Sequence, residues 1–123
     1  MPYKTCLLID DNYIDNYVTR RLLESSKFAE KIVVAQSPEE AIEALRNGDV
    51  IPDIIFLDLR MPMMNGFEFL QEYDQLEIKK DGTKVFILSA SLDPVDLNKS
   101  LSNKNIIQFV HKPLTKKILE DLS

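Results

Sequence analysis

Cysteine, histidine and glycine are scarce in this chain of 123 residues, and each shortage excludes a class of protein. A single cysteine cannot form an internal disulfide, and together with the single histidine it cannot supply the ligands of a structural zinc cluster. The three glycines, Gly48, Gly66 and Gly82, lie far apart, so a phosphate-binding glycine loop and a dinucleotide fingerprint are both absent.

Long apolar runs and basic runs are absent as well. No apolar run approaches the roughly 20 residues that span a bilayer, and residues 1–11 reach two aspartates too early for a signal peptide. Fifteen Lys and Arg against twenty Asp and Glu give a net charge of −5, which disfavours direct contact with nucleic acid. We therefore expect a cytoplasmic chain without membrane insertion, and its length indicates one domain over residues 1–123.

Short apolar runs alternate with helical patterns along the chain. Five runs have the length and composition of strands covered on both faces: 6–9, 32–35, 54–57, 85–88 and 106–110. A helical pattern follows each run. Strands joined by crossover helices run parallel, so the alternation predicts an α/β fold with a parallel sheet between two layers of helices.

The second helix has the clearest signals, with Ser37 as N-cap, Pro38 at the first position and Glu40 completing a capping box. Apolar residues at helical spacing mark the other four helices: Ile14, Val18, Leu22 and Leu23; Phe67, Leu70 and Tyr73; Leu97 and Leu101; Leu114, Ile118, Leu119 and Leu122.

Polar residues follow four of the five apolar runs: Asp10 and Asp11 after the first, Asp58 after the third, Ser89 to Ser91 after the fourth, and His111 to Pro113 after the fifth. In a parallel sheet these positions converge at one edge, where ligands bind. One lysine cannot neutralise three carboxylates, so a divalent cation is expected, and oxygen ligands favour Mg²⁺. If Asp10 and Asp11 merely capped the first helix, Asp58 would remain unexplained.

A carboxylate at such an edge can act as a nucleophile toward phosphorus and form an aspartyl phosphate. The cation and Lys112 would offset the charge of the phosphoryl group, and Ser89 would donate a hydrogen bond to one of its oxygens.

The segment from Asp58 to Gly66 resembles the phosphoacceptor segment of response-regulator receiver domains, chemotaxis regulators among them. The paired aspartates, Ser89 and the Lys112-Pro113 pair match the rest of that pattern. The resemblance implies a flavodoxin-like doubly wound sheet with strand order 2-1-3-4-5. It also implies a stand-alone phosphoacceptor without separate substrate turnover, whose partners are a sensor histidine kinase or phosphotransfer protein and a downstream protein.

The resemblance also implies roles for single residues. Asp58 looks like the phosphorylated aspartate and, with Asp11, a direct Mg²⁺ ligand, while Asp10 acts partly through water. The backbone carbonyl of Arg60 would be a further ligand.

Three further roles follow from the same resemblance. Ser89 is similar to the hydroxyl residue that follows the phosphoryl group on activation. Lys112 looks like the phosphoryl-binding lysine, with a cis bond to Pro113. Phe109 occupies the position of the switch aromatic, although it would also suit the core.

Other functions remain as alternatives. An aspartate-nucleophile phosphatase would need an Asp-x-Asp pair after its first strand, and a flavin protein would need a phosphate-binding loop there. His111 is the one candidate for a phosphohistidine carrier. A receiver-like domain that serves only as a scaffold is the fourth alternative.

Overall fold

The computed structural model describes residues 3–122, and strands alternate with helices throughout this range. The strands are β1 (Tyr3–Ile9), β2 (Ala29–Ala35), β3 (Ile54–Leu57), β4 (Lys84–Ser89) and β5 (Ile106–His111). The helices are α1 (Tyr13–Ser25), α2 (Pro38–Asn47), α3 (Gly66–Gln75), α4 (Pro94–Ser102) and α5 (Lys116–Leu122). None of the helices in this range is long and apolar enough to cross a membrane.

All strands of the sheet run parallel, in the order β2-β1-β3-β4-β5. This confirms the predicted doubly wound fold and the strand order that the resemblance implied. Ile9 at the end of β1 pairs with Leu57 at the end of β3, and Leu57 pairs with Ile87 in β4. The strands therefore end nearly level, and their carboxyl ends form one edge of the sheet, here called the carboxyl edge.

Two apolar layers bury the sheet, because successive side chains of a strand point to opposite faces. One layer includes Leu45 of α2 and Phe69 of α3, and the other includes Leu23 of α1 and Leu119 of α5. Burying one such side chain contributes about 1.5–3 kcal/mol. Cys6 lies in the second layer, where burial raises the pKa of its thiol to about 12, as expected for an inert core residue.

Capping side chains set the beginning of α2 and α3. The Ser37 hydroxyl accepts a hydrogen bond from the Glu40 N–H at 3.0 Å, as predicted. The Glu40 carboxylate, however, accepts from the Gln36 N–H at 3.4 Å, so the predicted capping box is wrong in that half. A complete capping box joins Asn65 and Glu68 instead, and it fixes the end of the loop that follows β3.

The apolar pattern of α1 predicts the helix correctly, but only its second part, Leu22 and Leu23, packs into the core. Ile14 and Val18 are 70% and 57% exposed, whereas Asn16 and Leu23 are buried. The Asn16 amide donates to the backbone carbonyl of Asp10 at 2.7 Å. A polar side chain is buried here because α1 begins beside the carboxyl edge, where backbone groups need partners.

Helix α4 differs from the sequence pattern in the same way. Leu97 and Leu101 are exposed, while Asp96 and Ser100 are buried. The Arg60 guanidinium donates to the Asp96 carboxylate at 2.6 Å, so this buried carboxylate has a cationic partner from another part of the chain.

Helix α5 buries the apolar residues that mark it in the sequence. Leu114, Leu119 and Leu122 are buried, and Ile118 is half-buried. The Thr115 hydroxyl accepts a hydrogen bond from the Ile118 N–H at 3.2 Å, as expected of a capping residue.

Candidate functional site

Three aspartates meet at the carboxyl edge, directly after β1 and β3. Asp10 and Asp58 are buried, and Asp11 is exposed. The Asp58 N–H donates to the carbonyl of Ile9 at 2.9 Å, so strand pairing holds the backbone of the aspartate in place. One carboxylate oxygen of each aspartate lies within 4.8 Å of the others, and the structure therefore brings together the three carboxylates that the sequence singled out.

These three carboxylates have the chemistry of a site for a hard divalent cation, which takes oxygen ligands. Burial, followed by the charge of Asp10, raises the pKa of Asp58 from 3.8 to about 7, although Lys112 opposes the shift. A bound cation would favour the ionised carboxylate, so the residues fit a metal ion. Arg60 lies two residues after Asp58 in the same loop, and its carbonyl as a further ligand stays a prediction.

Lys112 brings a positive charge to the cluster from the residue after β5. Its Nζ lies 2.7 Å from Asp10 Oδ2, 2.8 Å from Asp15 Oδ2 and 3.9 Å from Asp58 Oδ2. Burial by itself lowers the pKa of this ammonium, but hydrogen bonds to Asp10 and Asp15 raise it overall. Lys112 therefore stays charged. Its bond to Pro113 is cis, as predicted.

Asp15 is a member of this group that sequence reasoning missed. It lies in the first turn of α1, where the side chain of Asn12 accepts a hydrogen bond from its N–H at 2.9 Å. The sequence signal that could have identified Asp15 is the position of the N-cap Asn12, only three residues after the end of β1. A helix that begins this soon after β1 carries its first-turn side chains beside the carboxyl edge.

Ser89 is the last residue of β4 and is almost fully buried. Its carbonyl accepts a hydrogen bond from the Lys112 N–H at 2.9 Å, and its Oγ accepts one from the Ser91 N–H at 3.1 Å. The strand that carries it pairs with β3, which leads to Asp58. The predicted hydroxyl therefore lies at the carboxyl edge, held by the loop that follows.

Phe109 is half-buried in β5, on the same face of the sheet as Ser89. It pairs with Ile87, and Ser89 pairs with His111, so the two pairs lie two residues apart along both strands. Phe109 packs against the apolar layer that includes α2 and α3. Its role as a switch stays a prediction.

The loop after β3 lies tightly against Asp58. The Leu59 N–H donates to Asp58 Oδ1 at 2.9 Å, and the Gly66 N–H donates to the carbonyl of Leu59 at 3.0 Å. A Cβ atom at Gly66 would lie only 2.7 Å from the carbonyl oxygen of Asp58. The close approach explains why glycine stands at this position of the segment.

A second polar network, also missed from the sequence, joins this loop to α4. Arg60 Nη2 lies 2.6 Å from Asp96 Oδ2 and 3.4 Å from Asp93 Oδ2. The Ser91 hydroxyl donates to Asp96 Oδ2 at 2.5 Å. Residues that follow β3 and β4 are thus held together by one buried carboxylate.

Comparison with known proteins agrees with the fold and the arrangement of the site. The family described as response regulator receiver domain matches residues 6–122. A crystal structure of a two-component response regulator from Cytophaga hutchinsonii superposes with a TM-score of 0.87 and 32% sequence identity, covering 99% of this chain and 95% of that one.

Curated relatives are of very different lengths. A two-component response regulator of Arabidopsis thaliana is 32% identical over an alignment of 126 residues, gaps included. The alignment covers 94% of this chain and 80% of that protein. A hybrid signal transduction histidine kinase of Dictyostelium discoideum is 31% identical over 119 residues, 93% of this chain but 9% of the kinase. This chain spans less than a quarter of the length of several curated relatives. The chain belongs to the response regulator receiver domain family of two-component signalling proteins.

Proposed function

We propose that residues 1–123 form a single receiver domain that accepts a phosphoryl group on Asp58 from a histidine kinase or phosphotransfer protein. The observation that carries this proposal is the position of Asp58. Its carboxylate lies at the end of the central strand β3, next to two further carboxylates and the Lys112 ammonium. In this proposal the domain acts in the cytoplasm, contacts no nucleic acid directly and controls the binding of a downstream protein.

The chemistry is one displacement at phosphorus. A carboxylate oxygen of Asp58 forms the new O–P bond as the P–N bond of a donor phosphohistidine breaks, and the imidazole leaves with the electron pair. Asp58 Oδ1 already accepts a hydrogen bond from the Leu59 N–H, which fixes the plane of the carboxylate. The chain assists its own phosphorylation and dephosphorylation and turns over no separate substrate.

Asp10, Asp11 and Asp58 would hold Mg²⁺, with the Arg60 carbonyl as a further ligand. When bound, the ion neutralises charge on the carboxylates and on the oxygens of the incoming phosphoryl group. Lys112 supplies a further positive charge beside the phosphoacceptor, since its Nζ lies 3.9 Å from Asp58 Oδ2.

Phosphorylation would be signalled through Ser89 and Phe109. A phosphoryl group replaces one negative charge with about two at neutral pH, and its oxygens need hydrogen-bond donors. In the unphosphorylated protein the Ser89 hydroxyl accepts from the Ser91 N–H, so a turn toward the phosphoryl group would release this part of the β4–α4 loop. Phe109, on the same face, would then enter the vacated space and change the surface of α4 and β5.

The direct test is phosphorylation by acetyl phosphate with MgCl₂, followed by intact-mass spectrometry. We expect one added phosphoryl group that hydroxylamine removes. Asp58→Asn should abolish it, and Asp10→Asn should only slow it. Asp81→Asn is a matched control, since Asp81 lies in an exposed loop before β4.

Label on His111 or on a serine would contradict the proposal. The absence of any phosphoryl group in the folded wild-type protein would favour a receiver-like scaffold instead. Continuous release of phosphate from a generic phosphate ester would favour a phosphatase.

The switch is tested with beryllium fluoride, a phosphoryl mimic, and amide NMR. We expect shifts across residues 92–111 in the wild-type protein that are lost in Ser89→Ala. Equal shifts in both proteins would show that Ser89 is not the relay.

A further inference from the structure

Asp15 contacts the lysine of the site but has no part in the function proposed above. Its Oδ2 lies 2.8 Å from Lys112 Nζ, almost as close as Asp10 Oδ2 at 2.7 Å. The same ammonium is 3.9 Å from Asp58 Oδ2, which is beyond hydrogen-bond distance. Lys112 is therefore held by Asp10 and by Asp15 of α1, and lies farther from the proposed phosphoacceptor.

The local structure fixes both partners of this contact. The Asn12 side chain accepts a hydrogen bond from the Asp15 N–H, which sets the first turn of α1. The Lys112 N–H donates to the carbonyl of Ser89, which anchors the lysine backbone to the end of β4. The Lys112 side chain is only 14% exposed, so it has little freedom to find other partners.

An ammonium group has three N–H donors, and two carboxylates already occupy two of them. A phosphoryl group on Asp58 would bring additional negative charge beside the same ammonium. Asp15 then acts against it in two ways, because its carboxylate competes for Lys112 and repels the phosphoryl oxygens.

We propose that Asp15 is a positioning residue that draws Lys112 toward α1 and thereby weakens its hold on a phosphoryl group at Asp58. This inference rests on the proposed function. In this inference, Asp15 affects the strength of the interaction between Lys112 and the phosphoryl group, and therefore the stability of the phosphorylated form. The carboxylate of Asp15, and not only the residues at the strand ends, then contributes to the balance between the unphosphorylated and phosphorylated states of the domain.

The test measures the dissociation constant of beryllium fluoride in saturating MgCl₂ by NMR titration. Asp15→Asn should bind about three- to fivefold more tightly than the wild-type protein, a modest factor because the Asp15 side chain is 42% exposed. Asp15→Glu, which keeps a carboxylate, should return toward the wild-type value.

Glu24→Gln is the matched control, because Glu24 lies at the other end of α1 and pairs with Arg20. It removes the same charge from the same helix without contacting Lys112, and should leave the affinity unchanged. A second measurement follows the side-chain NMR resonance of Lys112. This resonance should move in Asp15→Asn even before the mimic is added, and it should stay in place in Asp15→Glu and in Glu24→Gln.

Equal or weaker binding by Asp15→Asn would overturn the inference, as would an equal gain in Glu24→Gln. If the wild-type protein binds no beryllium fluoride at all, the proposed function itself fails, and the two failures are therefore distinguishable. Asp15→Ser provides a second removal of the charge if Asp15→Asn does not fold.

Discussion

A single buried carboxylate, that of Asp58, makes the stability of this protein depend on pH. Burial and the charge of Asp10 raise its pKa in the folded state to about 7, from 3.8. The folded protein therefore holds this proton more tightly than the unfolded chain does. Between about pH 4 and pH 7 the unfolded state binds fewer protons, so this group lowers the free energy of unfolding as the pH rises.

We expect metal-free Asp58→Asn to melt at a higher temperature than the wild-type protein, because asparagine removes the buried charge. The difference should be larger at pH 7.5 than at pH 5, where Asp58 of the folded protein is mostly protonated. Thermal unfolding in EDTA measures it, with Asp81→Asn as the control. A difference that is the same at both pH values would contradict this account of Asp58.

At the scale of residues, the sequence predicts the position of a side chain well when that side chain directly follows a strand. Asp10, Asp11 and Asp58 were found because each follows an apolar run, and parallel strands bring such residues to one edge. Asp15 was missed because its contact joins residues 97 apart in the chain and depends on the direction in which α1 leaves the sheet.

At the scale of elements, α4 is attached to the molecule through polar contacts more than through its apolar side chains. Leu97 and Leu101 are exposed, and the Asp96 side chain is only 11% exposed beside the guanidinium of Arg60. The Ser91 hydroxyl donates to the same carboxylate. This helix follows Ser89, so its attachment bears directly on any movement that begins there.

Asp96→Ala should destabilise the protein by about 2 kcal/mol, because a buried hydrogen-bonded charge is removed and its partners are left unpaired. Denaturant unfolding measures the loss of stability. Amide hydrogen exchange in Asp96→Ala should increase more in α4 than in the other helices. Asp93→Asn is the matched control. It removes the longer contact to Arg60, at 3.4 Å, but an asparagine can still accept the capping hydrogen bond of the Val95 N–H. Equal effects of both substitutions would contradict the special role of Asp96.

The faces of α1 and α4 show a limit of pattern reading at this scale. Period 3.6 predicts that a helix forms, but it assigns the apolar stripe to the core by default. Ile14 and Leu101 are exposed, whereas Asn16 and Asp96 are buried with polar partners in the loops after β1 and β3. α5 followed its pattern, since Leu119 and Leu122 pack in the apolar layer that includes Leu23.

At the scale of the whole molecule, a cation bound at the cluster would stabilise the folded state. In the part of the chain that the structure describes, the cluster groups the carboxylates of Asp10, Asp11, Asp15 and Asp58 with the Lys112 ammonium, so it keeps an excess of negative charge. An ion that binds only the folded state stabilises it by mass action.

We expect MgCl₂ at ten times its dissociation constant to stabilise the wild-type protein by about 1.4 kcal/mol. This corresponds to a rise of roughly 5 °C in Tm. Asp11→Asn should lose most of the rise, while Asp81→Asn should keep it. Calorimetry with and without MgCl₂ makes the comparison. An equal rise in KCl of the same ionic strength would show that general screening, and not a site, is responsible.

The fold as a whole was the most predictable level. Alternating apolar runs and helical patterns predicted every strand and helix of residues 3–122, because each run has the length and composition of a strand that is covered on both faces. The order 2-1-3-4-5 came from resemblance alone, since alternation fixes the parallel direction but not which strands are neighbours. β1 and β2 each begin three residues before their apolar runs, where Tyr3 pairs with Ala29 and Thr5 pairs with Lys31.

A hydrogen bond between the two ends of the fold has a consequence for longer polypeptides. The Tyr3 hydroxyl at the start of β1 donates to the carbonyl of Leu122 in α5 at 2.8 Å. Seven strand residues, roughly 23 Å, separate this point from Asp10. Both junctions with any neighbouring segment therefore lie together, on the side away from the carboxylates. A domain with this geometry can be joined to other segments at either end without a connecting chain passing over the carboxylates.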